Sequence, residues 1–182
     1  AFTIPKWVKG GAALLYKPSG TDGVTTVSGM GTLELVQKLN IALLVRLTWK
    51  GGSFNDAFGF LAVTGLTLGS PPFVLTGLAG GFGYNCVVEA PDQPEKVPDF
   101  LLISMLRARS NDAPPAGGEA SAMLARLKDF EALVKRREGA FCIALGMSAR
   151  IAEMVDCSLL ALVELRNPGI EVALLGVAEF PI

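Results

Sequence analysis

The side chains of this sequence that could do nucleophilic, metal-binding or acid–base work are above all three cysteines and seventeen carboxylates, because histidine is absent. Without an imidazole the chain can build no Ser-His-Asp or Cys-His pair, no HExxH zinc site and no imidazole general base. Cys86, Cys142 and Cys157 are widely spaced, form no CxxC pair and sit among apolar residues. That is the setting of small buried hydrophobes rather than of zinc ligands or a disulfide framework, although one disulfide among the three stays open. Carboxylate-only hydrolysis is the remaining acid–base chemistry, with Glu153, Asp156 and Glu164 as the residues to test. Asp92, Glu95 and Asp99 fall in a loop, however, and Glu164, Glu171 and Glu179 alternate with apolar residues along strands. Both patterns are those of solvated faces. The expectation is no enzyme: no catalytic residue, no cofactor-binding residue, no cofactor and no metal ligand, with any binding residues unassigned.

The bulk properties narrow the partners. A chain of 182 residues reads as a single domain over 1–182. It is 51% hydrophobic with a mean hydropathy of +0.45, high for a small soluble monomer. Such a chain either spans a membrane or has more apolar surface than one small domain can bury, and the second option points to copies of itself or to neighbouring modules. The net charge of −1, without a basic stripe, speaks against nucleic acid. No signal-peptide pattern opens the chain, and "AFTIPKWVKGG" and "EVALLGVAEFPI" read as the interior of something longer. The compartment cannot be taken from it.

The elements that must position any site are mostly strands. In "NIALLVRLTWK", Ile41, Leu43, Val45, Leu47 and Trp49 share one face, expected to be buried; Ala42, Leu44, Arg46, Thr48 and Lys50 share the other, expected to emerge into water. Phe58, Phe60, Ala62 and Thr64 line one face of the next strand. "GSPPFVLTGLAGGFGYN" follows, bulky on the side of Val74, Leu78, Phe82 and Tyr84. It tapers to bare backbone at Gly77, Ala79, Gly81 and Gly83, where a helix or another backbone can lie close. Exposed loops are expected near 89–99 and 110–118, with "FLLISMLRAR" between them open to helix or strand. An amphipathic helix from Glu119 to Arg137 carries Met123, Leu124, Leu127, Phe130, Leu133 and Val134 on one stripe. Its "KRR" would complement the helix dipole and Gly139 would cap it. Arg166-Asn167-Pro168-Gly169 predicts a type II hairpin turn joining two strands apolar on both faces, expected mid-sheet.

Two rival readings of the Gly-rich strand fall away. It lacks the GK[ST] ending of a phosphate loop and the third glycine of GxGxxG. The uncharged stretch from Ala57 to Val88 is long enough for a bilayer helix, but seven glycines and a central Pro-Pro interrupt it. A transmembrane barrel hairpin is the less disfavoured membrane form.

Three segments carry a resemblance: Gly29-Met30-Gly31, "EVALLGVAEFP", and the run in which Pro71, Pro72 and Phe73 lead to Gly81, Phe82, Gly83, Tyr84 and Asn85. Together they resemble an uncharacterised family, a domain of unknown function found as a module of large bacterial and fungal proteins. The likeness covers most of the chain, and the Pro-Pro-Phe to Asn85 run is its most specific part. Met30 stands where relatives have an aromatic, a mild packing change. Cys86-Val87-Val88 continues apolar where relatives turn basic, which implies burial there. The resemblance implies no reaction and no catalytic residue, and it supports a module of a larger protein.

The fold class expected is therefore α+β and β-dominated: a twisted antiparallel meander of roughly seven to nine strands, curved or partly closed in one of its possible forms, with one long helix packed on it. The leading function is a structural or assembly module that buries apolar surface against copies or neighbouring modules. The alternative is a lipid or hydrophobic-ligand binder using an apolar groove of the sheet.

Overall fold

The computed structural model describes residues 2–4, 8–35, 39–107 and 119–180. Alternation of side chains at period two builds nine antiparallel strands in strict sequence order: β1 (Phe2–Ile4), β2 (Val8–Lys17), β3 (Val24–Leu35), β4 (Leu39–Lys50), β5 (Ser53–Ser70), β6 (Phe73–Val88), β7 (Val134–Ile151), β8 (Val155–Arg166) and β9 (Gly169–Glu179). The meander and its antiparallel pairing are as expected. The sheet is open rather than closed, with β1 and β9 as its edges. β9 is therefore an edge strand, not the mid-sheet strand its apolar faces suggested.

Hairpins follow local turn chemistry. Gly51 and Gly52 both have positive φ and join β4 to β5 as a two-residue turn that only such residues accept easily. The turn at Arg166–Gly169 forms as expected, but its Asn167–Pro168 peptide is cis, which makes it a type VI turn rather than type II.

Among the described residues of the long β6–β7 connection, a 3-10 turn at Pro94–Lys96 is followed by two α-helices where one was expected: α1 (Leu101–Arg107) and α2 (Glu119–Leu133). "FLLISMLRAR" thus resolves to helix over its described part, and the expected loop at 110–118 lies outside the described residues. The α2 helix stops four residues short of its expected end. Val134 to Arg137 begin β7, where Lys135 and Arg136 stand opposite Val87 and Cys86. "KRR" is then strand and complements no helix dipole, and Gly139 sits in a bulge of the β6–β7 ladder instead of capping a helix. The partner carbonyls and amides of β6 hold that segment better than a further helical turn would.

Both helices cover the same face of the sheet. Leu102, Ile103 and Leu106 of α1 and Leu127 and Phe130 of α2 meet Met30, Leu44, Phe58 and Phe60 in one core, each fully buried side chain contributing about 1.5–3 kcal/mol. The ring of Phe58 lies 5.6 Å from that of Phe130. The tapered side of β6 and its neighbour β7 make room for this layer. A methyl at Gly146 would come within 2.5 Å of Leu106. Polar pins fasten the helices at both flanks. Glu131 takes Lys17 and the Ser28 hydroxyl, while Arg107 reaches Glu179 and the Pro98 carbonyl.

Candidate functional site

The residues with chemical potential do not assemble into a reaction centre. Asp156 pairs with Arg150 at 2.8 Å, Glu153 sits in the β7–β8 turn, and Glu164 lies eight positions along β8 from Asp156, about 26 Å at the strand rise. The three candidate acids therefore do not converge. Glu164 and Glu171 do face each other across β8 and β9, on the rim of a cavity of about 490 Å³ floored by Ala144, Leu162 and Ala173. Arg137 bonds Glu164 at 2.7 Å and Arg166 bonds Glu171 at 2.8 Å. A general acid–base pair must leave a carboxyl free to exchange protons with substrate, and here both are engaged by guanidiniums. Glu179 is the anchor for α1 already described. Among the described residues no three His, Cys, Asp or Glu come together as a metal site.

The cysteines are free thiols. Cys86 and Cys142 lie side by side under the sheet, both buried as expected, whereas Cys157 is half-exposed. Their mutual hydrogen bond lowers the pKa of Cys86 and raises that of Cys142, which burial raises further. Val87 is buried beside Cys86 and Val88 is half-buried, which follows the burial implied where the run continues apolar; Met30, the mild packing change, is buried as well.

The Gly-Phe-Gly-Tyr-Asn run is structural. Gly83 faces Cys142 and Cys86 so closely that a Cβ would collide with the first sulfur and lie 2.8 Å from the second. A Cβ on Gly81 would sit 2.9 Å from the Phe60 ring. Asn85 takes a left-handed conformation, φ 53°, which asparagine tolerates better than most residues. Its amide donates to the Asn55 carbonyl at 2.9 Å, and its side-chain oxygen accepts the Gly139 N–H at 2.9 Å. One side chain thus clamps β5, β6 and the β7 bulge.

The feature left without a structural role is the other face of the sheet. Reading across the register, Leu43, Leu61, Gly80, Leu145, Ala161 and Leu174 stand in line from β4 to β9. The next line holds Val45, Gly59, Phe82, Ile143, Val163 and Val172 over the same strands, with Leu14 of β2 beyond them. Flanking these on one side runs Leu47, Ala57, Tyr84, Phe141, Leu165 and Ile170, and on the other Ile41, Val63, Leu78, Met147, Leu159 and Gly176. No position in these four lines carries a charge, and none is buried. Leu174 is 71% exposed, Leu145 59% and Phe82 54%.

This inverts the expected sidedness of β4. The apolar set with Leu43 faces out, and the set with Leu44, Arg46 and Thr48 faces the core. Pairing makes the inversion tolerable: Asp56 accepts from Thr48 and from Asn55 at 3.0 Å and lies 3.7 Å from Arg46, whose other nitrogen bonds the Val134 carbonyl. Asp56, Phe58 and Phe60 share one face, so the register that places Thr48 opposite Asp56 and Arg46 opposite Phe58 decides which side the helices cover. A signal existed in the sequence, since the small residues of β6 and β7 mark the side where a helix fits. One end of the outer face is aromatic. Trp49, Phe54, Tyr84 and Phe141 form a chain of ring contacts at 6.3, 6.0 and 5.5 Å, with Phe82 6.2 Å from Phe141.

Residues 1–182 match the model of a family of unknown function, DUF6603. The chain belongs to this family. No curated protein and no solved structure matches it. The resemblance read from the Pro-Pro-Phe to Asn85 run is thereby shown, and in this DUF6603 chain that run holds the sheet together beneath the uncovered face. No helix among the described residues is long and apolar enough to cross a membrane.

Proposed function

We propose that this chain is a non-enzymatic structural module that acts by burying its uncovered sheet face against a copy of itself or a neighbouring module. The observation that carries the reading is the four uncharged, unburied lines of residues, which run on from β4 over β3 and β2 through Leu33 to Gly10, Gly31 to Ala12, Gly29 to Leu14 and Val27 to Tyr16, so that they span eight strands. At usual strand spacing and rise these lines enclose about 34 by 20 Å, roughly 700 Å² in plane, above the ~300–600 Å² of the largest apolar patch on a typical monomer. Covering it is worth on the order of 17 kcal/mol gross at ~25 cal/mol per Å². That exceeds an association cost of about 4–15 kcal/mol. A solvent-facing sheet side would be polar at alternate positions.

A second reading has its own observation. Phe73, Met147, Leu159 and Gly176 line an apolar cavity of about 310 Å³ at one end of this face, at the lower edge of ligand-pocket size. A lipid or other hydrophobic ligand would lie there. Native mass spectrometry from detergent-free buffer separates the two. The assembly reading expects oligomers, or monomers, at the chain's own mass. Monomers carrying several hundred daltons of extractable lipid would reverse the ranking.

A further inference from the structure

We infer that the cover of the apolar face is a second copy of this chain, laid face to face about a two-fold axis so that two sheets form one sandwich; the inference rests on the reading of that face as an assembly surface. Extent is the first argument. The plane of roughly 700 Å² is before corrugation, and a standard stable interface buries ~800 Å² per partner. The face is therefore about the size one identical face can cover, with little left over.

Charge is the second. A two-fold interface sets the same patch against itself, so a charge on the axis would meet its own copy, and one off the axis would be buried unpaired unless the patch also carried an opposite charge at the matching position. The four lines contain none. The relief of the face also suits a second copy. Leu43, Leu61 and Leu145 project from a line that is bare backbone at Gly80, and Gly59 leaves a further hollow beside Phe82. Identical ridged surfaces can interlock in this way at the ~10 Å spacing of packed sheets. Pairing through the edge strand β9 would lengthen the sheet but leave the face in water, so it does not answer the exposure. A bilayer is less well matched, because the net charge of −1 supplies no basic excess for anionic headgroups.

Sedimentation equilibrium of the 182-residue chain beside a Leu61→Glu/Leu145→Glu variant tests this. Both side chains are exposed in the single chain, so the circular dichroism of the variant is expected to match the wild type. Leu174→Glu, near the edge, serves if the double variant does not fold. The expected result is a wild-type dimer that each folded variant weakens, the double variant by at least about a hundredfold. A dimer that survives the substitutions overturns the proposal by placing association elsewhere. A wild-type monomer that ignores phosphatidylcholine vesicles overturns the second copy while leaving a neighbouring module as the cover. A monomer that floats with those vesicles overturns both.

Discussion

Gly83 and Gly59 share the fold but not the consequences of a side chain. At Gly83 a methyl would collide with the Cys142 sulfur and crowd Cys86 and Phe58, all under the helix layer. At Gly59, on the outer face, a Cβ meets nothing within 4 Å. Gly83→Ala is therefore expected to cost about 1–3 kcal/mol through overpacking. Gly59→Ala should stay within about 0.5 kcal/mol or gain slightly from reduced chain entropy. Urea midpoints at unchanged slope measure both. Equal losses at the two sites, at a concentration where the chain is monomeric, would show that the outer face is packed within the single chain. The Pro-Pro-Phe to Asn85 run was legible as a motif from its residues alone. That Asn85 clamps three segments was not, because its partners, Asn55 and Gly139, lie far away in sequence and meet only when β5, β6 and β7 are in register.

At the scale of elements, strand existence was readable because period-two alternation is a local property. Sidedness was not. From Ile41 to Leu44 both faces of β4 are apolar, and Arg46 and Thr48 look like the start of a wet face until Asp56 is placed beside them. The end of α2 is hidden from the sequence for a similar reason: Val134 continues the helical stripe, yet β6 offers it a ladder. The Arg46–Asp56 pair joins β4, β5 and the start of β7, with the side chain of Asp56 only 2% exposed. Asp56→Ala is expected to destabilise by about 3–5 kcal/mol, since it strands a largely buried guanidinium. Arg46→Met combined with Asp56→Leu should recover most of that loss, as apolar replacement of both partners often does. Denaturant titration of the single and double variants decides it. A double variant as unstable as Asp56→Ala would mean that the pair sets the sidedness of β4, rather than merely satisfying it.

For the molecule as a whole, composition already stated the problem that the structure locates. A chain that is 51% hydrophobic has one helix layer and one sheet, and the layer covers one side. The surplus is not scattered but gathered into a continuous face ending in the Trp49–Phe141 aromatic chain. The function proposed here follows from that single asymmetry, so the most direct test is to ask which side of each strand meets solvent. Hydroxyl-radical footprinting of the chain at low and high concentration, read out residue by residue, does so. The account predicts strong labelling of Phe82, Tyr84, Phe141 and Leu145 at low concentration, protection of the same residues at high concentration, and no labelling of Phe58, Phe60 or Phe130 at either. Protection of the outer set even at the lowest concentration, or labelling of the inner phenylalanines, would contradict it.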